Sequence, residues 1–173
     1  AVNAFAIPGG CIYVTRGILP FLSNEAELAG VLGHEVGHVD ARHSAEAYSK
    51  QLGAGLGLAV AGVLSPRTQP VQGLAGAGLG VLFLKYGREA ELESDRLGVG
   101  YASRTGWDPS GVPGLLSSLA RLDAAGGSSR GVPGWALTHP PAADRVARVQ
   151  EAVTAAKATA TGSATNAPAF ERF

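Results

Sequence analysis

The sequence predicts an α+β domain that is mainly α, with a small hairpin lying beside a helical core. Only residues 2–18 join two short apolar runs through a Gly-rich turn. Most other long segments space their apolar residues as a helix does, or are rich in Gly and Ala. At 173 residues the chain is long enough to bury one core, or two small lobes about a cleft. It begins at Ala1 with no leader-like segment, so a domain cut from a longer protein is expected.

In chain order, Ala4-Phe5-Ala6-Ile7, the turn Pro8-Gly9-Gly10 and Cys11-Ile12-Tyr13-Val14-Thr15 give the hairpin. If its first strand is an edge, the backbone of Asn3, Ala4, Phe5 and Ala6 can pair with an extended peptide; otherwise the hairpin only supports the core. Residues 16–22 read as a connection. Asn24 with Glu27 fits a capping box and starts a helix. Its Leu28, Val31, Leu32, Val36 and Val39 recur at helical spacing and mark the expected buried side. Gly30, Gly33 and Gly37 each cost roughly 1 kcal/mol relative to Ala in a helix, which predicts close approach by a neighbouring backbone.

That helix carries His34-Glu35-Val36-Gly37-His38. Histidines four apart on a helix are rotated by only about 40° and offset by roughly 6 Å, so both rings can reach one ion. Glu35, beside the first, can then serve as general base, the mechanical content of the His-Glu-x-x-His pattern in zinc-assisted hydrolysis. One Zn2+ per chain is expected, and it needs a third ligand. His43 would lie about half a turn off the ligand face of a continuing helix; a helix-end histidine facing terminal carbonyls is the favoured reading. An acidic run such as Glu89, Glu91, Glu93 and Asp95 is ordinarily a solvated face. With the upstream motif in view, Glu91 is assigned as the third ligand. Asp95, four residues on, is assigned as acceptor of a ligand histidine's second ring N–H. Two histidines and one carboxylate leave the open position of a catalytic zinc site. Ser94, Gly98 and Ala102 are small enough to admit a neighbouring helix.

Leu52 to Tyr86 reads as a hairpin of two helices broken at residues 65–70, which covers the core or leans on a membrane or partner. Neither arm reaches the ~20 residues of a membrane span. Asp108-Pro109-Ser110 is a helix start leading into Leu115–Leu122. Residues 126–133 form a loop of a kind that could gate a cleft, Ala142 to Lys157 a last helix, and residues 159–169 a disordered stretch. His139, in Thr138-His139-Pro140, would by itself read as a surface loop residue. Arg145 is suited to pair with a carboxylate or an oxyanion.

Charge narrows the partners. The formal net charge is zero and 16% of residues are charged, so there is no basic footprint for nucleic acid or for an anionic membrane. The single cysteine, Cys11, excludes an intrachain disulfide and leaves the redox compartment open; it is expected as a small buried hydrophobe in a strand.

Four stretches in this order carry a resemblance that covers most of the chain. They are Asn3-Ala4-Phe5-Ala6-Ile7-Pro8-Gly9-Gly10, His34-Glu35-Val36-Gly37-His38, Glu91-Leu92-Glu93-Ser94-Asp95, and Thr138-His139-Pro140 followed by Arg145. The sequence resembles the zinc metallopeptidases that include the CAAX-prenyl protease, the HtpX heat-shock protease, the mitochondrial protease Oma1 and the periplasmic protease BepA. The resemblance implies a gluzincin fold over residues 1–160, with residues 161–173 a disordered or extended tail. It implies zinc on His34, His38 and Glu91, Glu35 as base, and Asp95 behind a ligand. His139 would stabilise an oxyanion or occupy the open zinc position and hold the enzyme latent, and Arg145 would stand on the oxyanion side. Ser94 departs from the Ala of many relatives. The lack of the membrane helices of the CAAX-prenyl and HtpX branches favours the soluble BepA-like branch, and with it the cell envelope or periplasm.

The expected activity is hydrolysis of internal peptide bonds in an unfolded or extended polypeptide bound along Asn3 to Ile7. The alternative is a latent or chaperone-like zinc module with little turnover. A purely structural zinc domain would have no use for Glu35. Cleavage specificity and oligomeric state are not set by the sequence.

Overall fold

The structure, a computed structural model, describes residues 2–64, 85–124, 135, 139, 143–159 and 164–165. Strands β1 (Ala4–Ala6) and β2 (Ile12–Val14) pair antiparallel with Phe5 opposite Tyr13. Helices α1 (Glu25–Asp40), α2 (His43–Leu64), α3 (Arg88–Arg104), α4 (Gly111–Ala124) and α5 (Ala143–Thr159) follow. The fold is therefore the mainly helical α+β arrangement that the periodicities predict. The hairpin turn passes through Gly9 and Gly10 at φ +106° and +90°, a region that side chains disfavour. Cys11 is exposed, contrary to expectation, because it sits at the turn ahead of β2.

α1 starts where the capping box places it: Asn24 Oδ1 accepts from Glu27 N at 2.9 Å, and Glu27 Oε2 accepts from Ser23 N at 2.8 Å. Of its five apolar positions only Val31 is fully buried, and Leu28 and Val39 are half-buried. Leu32 and Val36 are 40% and 39% exposed, while Ala26, Gly30, Gly33, His34, Gly37 and His38 face inward. The reason is the separation of the helices. A Cβ on Gly33 would lie 3.0 Å from Gly98 O of α3, one on Gly37 3.0 Å from Ser94 O, and one on Gly30 2.9 Å from Val112 N of α4. Backbones this close exclude large side chains, so Leu32 and Val36 turn outward.

Two clusters complete the core. Ala4, Ile18, Val31, Leu115, Leu119 and Trp135 lie on the hairpin side, and Val99, Val112, Leu116, Val149 and Val153 join α3, α4 and α5. α2 begins directly after α1 at His43, so the arm expected from Leu52 continues a helix already under way. Its expected partner arm lies in residues 65–84, outside the described residues, as does the loop of residues 126–133. Among the described residues no helix is long and apolar enough to cross a membrane. Asp108 Oδ1 accepts from Ser110 N at 2.9 Å ahead of α4. In the tail, Ala164 bonds to Gly106 and Asp108, and Thr165 O accepts from Ala26 N at 2.9 Å. These two residues are tied across the start of α1; the others after residue 160 lie outside the described residues.

Gly98 tests this packing. A Cβ there would meet His34 N at 2.9 Å and Gly33 C at 3.2 Å. Forcing packed backbones apart costs about 1–3 kcal/mol, against a gain of roughly 1 kcal/mol in helix propensity. Gly98→Ala is expected to lower the melting temperature of the metal-free protein, read by circular dichroism; an unchanged or higher melting temperature would mean that the helices give way easily.

Candidate metal centre

α1 presents His34 and His38 one turn apart toward α3, which presents Glu91 and Asp95 one turn apart in return. All four side chains are essentially inaccessible, and His139, also fully buried, closes the group from the C-terminal side. His34 Nε2 lies 3.0 Å from His38 Nε2 and 3.4 Å from His139 Nδ1. Glu91 Oε1 lies 3.5 Å from His38 Nε2 and 2.9 Å from His139 Nδ1, and Glu91 Oε2 lies 3.7 Å from His34 Nε2. Ligand atoms on a tetrahedral zinc at 2.0–2.1 Å stand about 3.3 Å apart. His34, His38, Glu91 and His139 thus offer four atoms, all within 4.8 Å of one another, at the spacing such an ion needs.

The donor chemistry points the same way. His34 Nδ1 is 2.9 Å from Asp95 Oδ1, which can only accept, so the His34 proton sits on Nδ1 and Nε2 keeps its lone pair. Nε2 of His34 and Nε2 of His38 then meet at 3.0 Å, close enough to share one proton or one cation. Three buried carboxylates, Glu35, Glu91 and Asp95, are set against one buried guanidinium, Arg145. Glu91 and Asp95 are both held below the usual carboxylate range, so the centre keeps anionic oxygens toward a divalent ion. These residues fit zinc.

Each group around the ligands has a distinct job. Arg145 donates to Asp95 through Nε and Nη2, both at 2.7 Å, and its Nη1 stands 2.5 Å from Glu91 Oε2. Of the two partners expected for Arg145, a carboxylate or an oxyanion, the structure supplies carboxylates. Burial works against the charge on Asp95, yet Arg145 and His34 hold its carboxyl below the usual range. Glu91 likewise stays well below it, burial being outweighed by His139, His38 and His34. Burial pushes the His38 imidazolium down to about 3, so this ring is neutral, as a ligand must be. Glu35 is the exception. No side chain hydrogen-bonds its carboxylate oxygens: His139 Nε2 stands 3.5 Å from Oε1, and the Ala6 backbone N–H adds a weak contact. Burial raises its pKa against the pull of His139 and His34.

Four side chains that the sequence reading did not bring to the site are there. Tyr86 stacks on His38 with ring centroids 3.9 Å apart, and Trp135 stacks on His139 at 4.0 Å. Ser44 Oγ donates to Ala6 O at 3.2 Å, and Tyr86 Oη lies 2.8 Å from Ser44 Oγ and 3.4 Å from the same carbonyl. His43 reaches His38 rather than the terminal carbonyls of α1. One signal was available: Trp135 precedes His139 by a helical turn, and His139 N does donate to Trp135 O at 2.7 Å. On the candidate substrate strand, Asn3 pairs through its backbone with Thr15 of the hairpin's second arm, and Phe5 stands opposite Tyr13. Alternation turns the backbone groups of Ala4 and Ala6 to the other edge, where the Ala6 carbonyl is taken up by Ser44 and Tyr86.

Comparison with known proteins places this geometry in context. The sequence model of peptidase family M48 matches residues 1–153. The chain is 36% identical over 151 residues to the mitochondrial metalloendopeptidase OMA1 of Schizosaccharomyces pombe, which covers 86% of this chain and 43% of that protein. It is 34% identical over 155 residues to the beta-barrel assembly-enhancing protease of Escherichia coli K12, covering 84% of this chain and 31% of that one. Similarity to the metalloprotease YcaL of the same organism is 31% over 160 residues, covering 90% and 60%. The chain therefore spans less than half the length of the first two.

Proposed function

The chain belongs to peptidase family M48, and from that premise we propose that it is the proteolytic module of a zinc-dependent endopeptidase acting on unfolded or extended polypeptides. The observation that carries this reading is the Glu35 carboxylate, buried with no side-chain hydrogen bond beside two imidazole nitrogens 3.0 Å apart. A structural site has no use for such a base. His34, His38 and Glu91 would hold the ion, and zinc bound there supplies Lewis acidity that acidifies water and polarises a carbonyl at neutral pH.

The protein's own groups do the rest. Glu35 takes a proton from the attacking water on a carboxylate oxygen as the new C–O bond forms, and delivers it to the leaving amine as the C–N bond breaks. Its raised pKa keeps the proton transferable in both directions. Asp95 fixes the ring of His34, and Arg145 fixes Asp95 and Glu91, so we assign Arg145 to support of the ligands rather than to the oxyanion. An extended substrate would pair with the outer edge of β1 through the backbone of Ala4, since Asn3 and Phe5 turn theirs toward β2. Ala6 offers no carbonyl to it, which ends the paired stretch there. A place in quality control of the cell envelope is part of the proposal, suggested by the names of the beta-barrel assembly-enhancing relatives.

A second reading rests on His139. With Nδ1 at 2.9 Å from Glu91 and 3.4 Å from His34, it can supply a fourth ligand and hold the module latent, as a zinc-binding or chaperone-like unit with little turnover. One experiment addresses both. The protein is stripped with a chelator, reloaded with one equivalent of zinc, and assayed on an unfolded protein. Cleavage that returns with zinc is expected. If the parent is slow and His139→Ala is faster by about tenfold or more, His139 acts as the block; if His139→Ala is slower by about a hundredfold or more, it serves the reaction, within the ~10²–10⁴ of one acid–base or stabilising group. Zinc binding with no cleavage by either protein would remove the peptidase assignment.

A further inference from the structure

We propose that His43 is a positioning residue for the ligand His38, through a hydrogen-bonded chain that runs from the metal face of His38 through His43 to the surface carboxylate of Glu93. The inference rests on the assignment of His38 as a zinc ligand. His43 Nδ1 lies 3.1 Å from His38 Nδ1, and both rings are buried. On its far side, His43 Nε2 lies 3.4 Å from Glu93 Oε2, whose side chain is 49% exposed.

The protons on this chain follow from elementary valence. A metal takes the lone pair of His38 Nε2, so the one proton of that neutral ring is on Nδ1, which donates. The partner at 3.1 Å must accept, which requires a lone pair on His43 Nδ1 and puts the His43 proton on Nε2. That N–H points at Glu93, an acceptor only. Every link thus has one donor and one acceptor. The opposite order would put a proton on His38 Nε2 and forbid ligation. Ser94 Oγ stands 3.3 Å from the same His43 nitrogen; with one lone pair there, the nearer His38 is the main donor.

The backbone is shaped for this contact. α1 ends at Asp40, and Arg42, with φ +58°, is the one non-glycine in the left-handed region among the described residues. A left-handed residue costs about 1–2 kcal/mol outside glycine. Here it reverses the chain at once, so that the first residue of α2 folds back on the second ligand of α1. The two histidine ligands are consequently backed by unlike groups. His34 leans on an anion, Asp95, which Arg145 clamps, whereas His38 leans on a neutral ring with a carboxylate one step further out. Partners of this kind hold ring orientation and tautomer, and their loss typically weakens metal binding about 10–100-fold.

The test uses the 173-residue chain, with zinc affinity read by chelator competition and folding by circular dichroism of the metal-free form. His43→Leu keeps apolar volume but no acceptor and is expected to bind zinc about 10–100-fold more weakly. His43→Asn places an oxygen where Nδ1 stood and should restore most of the affinity. Imidazole ¹⁵N spectra of the zinc-loaded parent are expected to show the proton of His38 on Nδ1, that of His43 on Nε2, and a coupling across the N–H···N bond; a purely structural histidine gives no such coupling. This readout stands even if His43→Leu does not fold. A proton on His43 Nδ1, or equal affinity for the parent and a folded His43→Leu, overturns the proposal. His38→Ala is the control: if it binds zinc as the parent does, the ligand assignment itself has failed. If only His38→Ala loses zinc, the inference about His43 alone has failed.

Discussion

Glu35→Gln is expected to lower the rate of zinc-dependent cleavage by about a hundredfold to ten thousandfold, the usual worth of a positioned acid–base group, with zinc content unchanged. The substitution is nearly isosteric, and Glu35 is outside the set of four ligand atoms. Its carboxylate is also the one buried acid of the site with no side-chain hydrogen bond on either oxygen. Replacing a buried, poorly solvated carboxylate by a neutral amide removes a desolvation cost that only a 3.5 Å contact with His139 offsets. The metal-free variant should therefore melt at or above the temperature of the parent while being nearly inactive. Matched zinc loading, a cleavage assay and a melting curve check the three parts together. A variant that keeps more than about a tenth of the parent rate would take Glu35 out of the proton path, since an effect that small is below what such a group supplies.

Arg145→Leu is expected to act in the opposite way, on the fold first and the chemistry second. Arg145 is the single guanidinium between Asp95 and Glu91, and both carboxylates are buried. Removing one partner of a buried charge pair strands the other and costs about 3–5 kcal/mol, which for a chain of this size lowers the melting temperature by roughly 6–20 °C. Zinc affinity should fall as well, because Asp95 no longer holds His34 from a fixed position. Arg145→Lys is not expected to rescue it: a single ammonium cannot span two carboxylates as the planar fork does. Thermal unfolding with and without zinc measures both effects. A loss below about 1 kcal/mol would mean that water or a rearranged ligand set takes over the carboxylates, which this buried geometry does not provide for.

The site was legible where its logic is local. His34, Glu35 and His38 are fixed by helical spacing alone, and Glu91 and Asp95 share a face for the same reason. Residues that arrive by folding were not. Tyr86 comes from a segment with no motif of its own, and its ring finds His38 only once α3 is packed on α1. His43 was extrapolated along a helix that in fact ends at Asp40; one left-handed residue separates the two outcomes, and nothing in Arg42 announces it. The periodicity of α1 was right and its direction misleading. An apolar count places Val31 inside correctly but Leu32 and Val36 as well, because much of the face that packs is glycine and the polar residues of the site, which such a count scores as solvent-facing. The glycines themselves gave the better clue.

The close contact of Gly33 with Gly98 joins the helix that bears two ligands to the helix that bears the third. Occupancy of the site and cohesion of the helix pair are then one equilibrium. An ion present at a thousand times its dissociation constant adds about 4.1 kcal/mol to the folded state, a large share of the 5–15 kcal/mol typical of a whole domain. In a cell, molecules that have lost or never acquired their metal would open more often and be cleared sooner, so the surviving population is enriched in loaded copies without any dedicated sensor. Metal supply would set not only how fast each copy works but how long it lasts.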